Sequence, residues 1–425
     1  MIVTVALCFV ILLVLGMPIA VLLVVTTGMA VLLHTTTSLL ALPQQLFNAL
    51  DNFILLSIPF FILAGAIMTQ GAMAKKLVAV INAMVGPVPG GLAIATTLAC
   101  MFFAALSGSS PATVVAIGSI MIPALVKAGY PERFSIGLVT SAGSLGIVIP
   151  PSIPMILYCL VMNVSVAELF MAGIGPGLLI GGLFMLYTYA LAWRNNWQAQ
   201  ERLTWRELLV TVKDGFWGIM LPVIVLGGIY SGVFTPEEAA AISVVYALFV
   251  ELVIYREFRL RDIPEVCKQA AILSSCLLFV LAAAMTLIWL LTAFRLPHQI
   301  ADLITAHVRS PSIFLLFVVV LFLLMGTVMD NVSAMLILSP LFAETLNRFG
   351  IDLIHYGIIM VLVIEFGFLT PPFGLNIFVA MGLTNKSLVE VSRGVWPFLA
   401  ILLLCVLLVT YVPPISTYLP YKLLR

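Results

Sequence analysis

Fifty consecutive residues between Lys76 and Lys127 carry no formal charge, yet the tract is interrupted at Pro87-Val88-Pro89-Gly90-Gly91 and at Ser107-Gly108-Ser109-Ser110-Pro111. The pieces 92–106 and 112–126 hold fifteen residues each, about 22 Å of helix at 1.5 Å per residue. A hydrocarbon core of about 30 Å takes about 20 apolar residues to cross. The two pieces are too short, so they predict a re-entrant helical hairpin with its tip at 107–111.

Only 9% of the 425 residues are charged and 63% are hydrophobic, whereas a soluble domain is about 25% charged. A water-soluble enzyme is excluded, and the length suits roughly ten crossings within one membrane domain, 1–425. A net charge of +1 offers nothing to nucleic acid. The cysteines at 8, 100, 159, 267, 276 and 405 share no close Cys-x-x-Cys spacing and read as small apolar residues. No Asp, Glu, Lys or Arg precedes Asp51, too long an apolar stretch for a signal peptide, so retained membrane segment is expected. Spans are expected near 2–33, 53–69, 171–193, 216–233, 239–255, 270–294 and 395–413.

The tract 134–163 is long enough to cross, but Gly146-Ile147-Val148-Ile149-Pro150-Pro151-Ser152 lies at its centre, where two prolines remove backbone donors. A helix broken near mid-membrane follows. The same order recurs later. Pieces 312–325 and 332–347 flank Gly326-Thr327-Val328-Met329-Asp330-Asn331, and the next tract breaks at Gly367-Phe368-Leu369-Thr370-Pro371-Pro372-Phe373. Gly129, Gly146, Pro150 and Pro151 match Gly350, Gly367, Pro371 and Pro372 at a constant offset of 221. The chain therefore reads as a first repeat region, 1–193, with its hairpin at about 92–126, and a second, 215–425, with its hairpin at about 312–347. An interfacial arm is expected at 194–214.

Positive loops stay cytoplasmic. Lys75, Lys76, Lys127 and Arg133 place both ends of the first hairpin inside, and Asp302, Arg309, Glu344, Arg348 and Asp352 place both ends of the second outside. The repeats are thus inverted in topology, the arrangement by which many secondary transporters build a site at the midplane. Capping boxes are expected at Thr204 with Glu207 and at Thr235 with Glu238, and an aspartate variant at Asp262 with Glu265. The partly polar helices starting at Thr204 and Asp262 are expected to lie along the interface.

Irregular backbone within a bilayer persists only where protein or a water-filled cavity satisfies its polar groups. Four such breaks leave free carbonyls and hydroxyls suited to an alkali cation, and free amides at half-helix N-termini suited to an anion. Asp330 is an ionisable group at a hairpin tip, which is costly in a membrane; it serves either ion-coupled transport or a hydrogen bond that shapes the tip. Glu365 precedes the second break and is either functional or a packing partner. Arg295 and Lys127 snorkel to the interface. No Walker loop and no His-Glu-x-x-His pair is present. An intramembrane serine hydrolase built on Ser107-Gly108-Ser109 lacks a base at depth, because His34, His298, His307 and His355 all fall near membrane boundaries.

With these breaks go Ser57 to Gly65, Gly232 to Ala241 and Gly374-Leu375-Asn376. Together with the tips they make almost the whole chain resemble the large membrane subunit of the tripartite ATP-independent periplasmic (TRAP) transporters, within the ion transporter superfamily. The resemblance implies an all-α polytopic inner-membrane protein of elevator type, a hairpin-bearing transport domain moving against a scaffold. It implies sodium ions as the coupling cofactor, a small four-helix membrane partner and a soluble periplasmic binding protein. Carried over, it puts one sodium at Ser107, Ser109, Gly146, Ile149 and Pro150, and another at Gly326, Gly367, Thr370 and Phe373. Substrate would lie near Ser110, Ser152, Asp330 and Asn331, and would be an organic anion such as a C4-dicarboxylate or an acidic sugar like sialic acid. A stand-alone sodium/dicarboxylate symporter of the same superfamily stays open as an alternative, and an intramembrane enzyme as a remote one.

Overall fold

The computed structural model describes residues 2–424 except 198, 200–203, 327–329 and 373. Among the described residues the regular structure is helical, with no strand. The apolar tract expected to span at 2–33 is divided into two helices, α1 (Ile2–Val14) and α2 (Ile19–His34), packed side by side. The chain turns between them because Gly16 takes a φ of 74° and Pro18 has no backbone N–H to continue a helix. A short amphipathic helix without a buried residue, α3 (Ala41–Leu50), precedes α4 (Ser57–Gln70) and α5 (Met73–Val85).

The first hairpin is α6 (Gly91–Ser107) and α7 (Ser110–Lys127), separated by two residues and packed on one another. Next, α8 (Glu132–Gly143) tightens into a 3-10 turn at Ser144–Ile147 before the break, and α9 (Ile153–Met162) resumes. A 29-residue helix, α10 (Val166–Arg194), closes this half.

Two long helices follow. The polar turns after Thr204 belong to the same unbroken helix as the span, α11 (Trp205–Tyr230), whose 26 residues reach about 39 Å. Thr204–Glu207 and Thr235–Glu238 form the expected capping boxes, the second at the start of α12 (Pro236–Phe249). A π-helical turn, Val250–Tyr255, ends this helix and carries the fully buried Glu251. Its carboxylate accepts from the Ala72 and Met73 amides at 2.8 Å each, capping the positive end of α5 and tying α12 to the chain after α4. The third expected box differs. Asp262 accepts from the Arg259 amide at 3.0 Å, turned back toward the preceding loop, and makes no side-chain cap for α13 (Ile263–Ala293). That helix also runs unbroken for 31 residues, so its polar start is continuous with the span.

The second half repeats the first. After α14 (Leu296–His307), the chain bends by 119° into α15 (Pro311–Met325), which pairs with α16 (Asn331–Phe349). The broken helix is α17 (Leu353–Phe368) and α18 (Leu375–Thr384), followed by α19 (Leu388–Tyr411) and α20 (Pro414–Leu423). Equivalent positions share local structure as well as sequence. Gly129 and Gly350 are both left-handed, Asn163 and Asn385 are both left-handed helix ends, and Ser165 and Ser387 both accept from the amide three residues on. Beyond the break the offset becomes 222, from Asn163 to Asn385, so the second break holds one extra residue.

The contacts give the direction of each half. Glu132, at the start of α8, pairs with Lys386 beyond α18 at 2.9 Å, and Arg133 donates to the Arg393 carbonyl at 2.7 Å. The hydrogen bond to Glu132 raises the Lys386 ammonium above its ordinary value. Leu353, the counterpart of Glu132 in α17, lies at the other end, where its carbonyl accepts from Tyr158 of α9 at 2.7 Å. The two broken helices therefore run antiparallel, as inverted repeats must. Gly137 and Gly394 permit the closest approach of α8 and α19, since a Cβ on Gly137 would overlap the Gly394 carbonyl. Among the described residues seven helical runs are long and apolar enough to cross a membrane.

Candidate functional site

At the first tip, α6 ends at left-handed Gly108, with φ 59°, and Ser109 is extended. Ser107 Oγ lies 3.0 Å from Thr113 Oγ1, which donates to the Ser109 carbonyl at 2.9 Å. The Gly108 carbonyl accepts from the Ile153 amide at 3.2 Å, so the tip is bonded to the first residue of α9. Gly146 backs directly onto the same tip, where a Cβ would lie 2.8 Å from both the Ser109 carbonyl and Thr113 Oγ1. Ser107, Ser109 and Gly146 thus come together as the sequence implied. Ile149 faces Gly177 of α10 instead, and Pro150 follows it in the break. A cavity of about 160 Å³ is lined by Ser107 and Ser109 together with Gly65 of α4, which packs against Ser107, and Gln269 of α13.

At the second tip, Asp330 is exposed and caps α16, accepting from the Ser333 amide and hydroxyl at 2.9 Å each. Asn331 is buried against two of the expected glycines, Gly326 and Gly367; a Cβ on either would collide with its amide. Gly326 and Gly367 are therefore joined through Asn331, the counterpart of Ser110 at the offset of 221. Thr370 is half-buried and donates to the Phe366 carbonyl at 2.8 Å, closing the last turn of α17. Phe373 lies outside the described residues, as do Thr327, Val328 and Met329 of this tip.

A central cavity of about 360 Å³ touches both tips, both breaks and α13. Ser109 and Ser110 line it from the first tip and Val332 from the second, Ile147, Ile153 and Phe368 from the breaks, and Leu273 and Leu277 from α13. Ser152 turns away from this space. Fully buried, it donates to the Ile147 carbonyl at 2.6 Å and accepts from the Met155 amide, bridging the break it sits in.

The ends of helices decide what such a cavity holds. Ser110 and Pro111 open α7, Ile153 and Pro154 open α9, Val332 is in the first turn of α16, and Leu375 opens α18. Four helix starts thus converge on one space, each presenting the positive end of its dipole, although the Ile153 amide is taken by the Gly108 carbonyl and the start of α16 is capped by Asp330. Two helices also end at this cavity with their negative ends, α6 at Gly108 and α17 at Phe368. Helix starts gathered in this way favour an anion.

Sequence reasoning did not include Asn376 in the site. Its side-chain amide donates to Ser110 Oγ at 2.6 Å, and its Oδ1 is buried with no partner among the described residues. The available signal was a carboxamide in an otherwise apolar tract, two residues beyond Gly374.

A family described as the tripartite ATP-independent periplasmic transporter, DctM component, matches residues 6–415. The chain is similar to the C4-dicarboxylate TRAP transporter large permease of Pseudomonas aeruginosa, 47% identical over 89% of each chain. It is also similar to the ectoine/5-hydroxyectoine TRAP transporter large permease of Ruegeria pomeroyi, 39% identical over 88% of each. In fold it is similar to the YdaH transporter of Alcanivorax borkumensis, with a TM-score of 0.66 at 14% identity over 95% of this chain and 97% of that one.

Proposed function

The chain belongs to the DctM family of tripartite ATP-independent periplasmic transporters, and from that membership we propose a sodium-driven permease subunit for a small organic anion, with C4-dicarboxylates the first class to test. It is a multi-pass inner-membrane transport protein and not an enzyme. The observation that carries the anion is the convergence of the four helix starts on one cavity of about 360 Å³. C4-dicarboxylate is put before ectoine because the dicarboxylate permease of Pseudomonas aeruginosa is 47% identical to this chain and the ectoine/5-hydroxyectoine permease of Ruegeria pomeroyi 39%.

The sodium ions are assigned to the two places where a tip closes on a break glycine. Ser107, Ser109 and Gly146 supply hydroxyl and carbonyl oxygens at the first, with Ile149 and Pro150 adding carbonyls. Gly326, Gly367, Thr370 and Phe373 do so at the second. Occupied sites hold the tips against the breaks and complete the cavity wall, so substrate binding depends on sodium. The elevator movement carries α6–α9 and α15–α18 past α4 and α13, whose Gly65 and Leu273 border the tips and cavities. A small four-helix membrane subunit steadies the static part, and a periplasmic binding protein delivers the anion.

The test is uptake into liposomes holding the permease and its small subunit, with the binding protein outside and no nucleotide. Accumulation of a C4-dicarboxylate under an inward sodium gradient, abolished by potassium replacement, is expected. Uptake undiminished without either partner would favour the stand-alone symporter, and accumulation of ectoine or sialic acid but no dicarboxylate would overturn the substrate assignment.

A further inference from the structure

Ser144 Oγ lies 2.7 Å from Glu365 Oε1, and the two positions are separated by the repeat offset of 221. Residues related by the inverted repeat touch one another only where its pseudo-two-fold axis passes between them. Both are fully buried, Ser144 also reaches the Ser141 carbonyl at 2.6 Å, and Glu365 Oε2 has no partner among the described residues. A leucine would fill this place in α17 without the cost of burying a half-satisfied polar group. Each residue also sits two positions before a break glycine. Gly146 rests on the Ser109 carbonyl of the first tip and Gly367 on Asn331 of the second.

We propose that the Ser144–Glu365 hydrogen bond is a positioning contact that couples the two tip-and-break sites, so that filling one sets the break of the other for its ion. This rests on the sodium assignment above. Displacement of Gly146 toward or away from its tip moves Ser144 with it, since both lie on one continuous turn. Glu365 then transmits the shift to Gly367 over the same two-residue distance. The contact is short, polar and directional, and it joins the two break regions side chain to side chain.

The experiment is the sodium-binding isotherm of the purified, substrate-free protein for the parent, Ser144→Ala, Glu365→Leu, Glu365→Gln and the Ser144→Ala/Glu365→Leu double variant, with folded yield measured alongside. Two coupled sites give the parent a Hill coefficient for sodium approaching two, and uncoupled sites give about one. Ser144→Ala and Glu365→Leu are expected to fall toward one, and Glu365→Gln, which keeps both size and hydrogen bond, to stay with the parent. The double variant should be no worse than either single one, because both remove the same contact. Unchanged cooperativity in well-folded Ser144→Ala, or additive losses in the double variant, overturns the coupling. A parent that binds no sodium overturns the sodium reading itself.

Discussion

Asn376 donates its side-chain amide to Ser110 Oγ across 2.6 Å, joining the second broken helix to the first hairpin tip over 266 residues of sequence. Both side chains are fully buried. Leaving one buried partner without the other costs about 1–3 kcal/mol. Asn376→Ala is therefore expected to lower the melting temperature of the detergent-solubilised protein and to reduce uptake, since Ser110 lines the central cavity. Unchanged melting and transport would show that the bond matters to neither.

The glycines at the breaks make a sharper comparison. A methyl group at Gly367 must displace Asn331, and one at Gly146 must displace the Ser109 carbonyl or Thr113. At Gly146 the obstacle includes tip backbone, and at Gly367 the buried Asn331 side chain must swing away from the break. Gly367→Ala and Gly146→Ala should each lose most uptake, while Gly227→Ala, where a Cβ meets nothing within 4 Å, should match or slightly exceed the parent in stability. Equal uptake by all three variants would remove the tips from the mechanism.

Asp330 has two separable roles. As the cap of α16 it contributes about 1 kcal/mol, which serine retains and alanine loses. Its charge is lost in both. Asp330→Ser is expected to keep the folded yield of the parent yet transport poorly with altered sodium dependence, and Asp330→Ala to fall in yield as well. Ser109→Ala should fold normally, because the contacts at that position run through its carbonyl, and should transport poorly. Full uptake by Asp330→Ser together with Ser109→Ala would leave the tips as structural turns.

The hairpins and breaks were legible in the sequence because Gly, Pro and Ser in an uncharged tract change backbone chemistry at a definite residue. Their observed ends, Ser107 and Ser110 in one half and Met325 and Asn331 in the other, fall within a residue or two of those expected. What was hidden depends on pairing across the fold. Nothing in a linear reading says that Ser152 caps its own break, that Asn376 reaches Ser110, or that Glu365 meets Ser144. The division of 2–33 was also hard to see, since one glycine and one proline inside a long apolar run are compatible with a kinked span; here they form a turn. Asp262 misled because a capping box and a reverse bond to the preceding loop use the same residues.

Opposite orientation of the two halves has its own test. Ala128 and Asn347 are exposed near the ends of the two hairpins that positive loops place on opposite sides. In a background freed of Cys267 and Cys276, the exposed native thiols, an impermeant maleimide added outside intact cells should label Asn347→Cys and spare Ala128→Cys. Equal labelling of both would contradict the assigned topology.

Sodium held between tips and breaks is the centre of the account, and binding can be measured without transport. Any ion that binds only the folded protein stabilises it, by about 2.7 kcal/mol at a hundredfold excess over its dissociation constant. The melting temperature of the purified permease should be followed as sodium chloride replaces choline chloride at constant ionic strength. The account predicts a rise that grows with sodium concentration in the parent and in Gly227→Ala, and is reduced in Gly146→Ala and Gly367→Ala. The same melting temperature in sodium and in choline would contradict it.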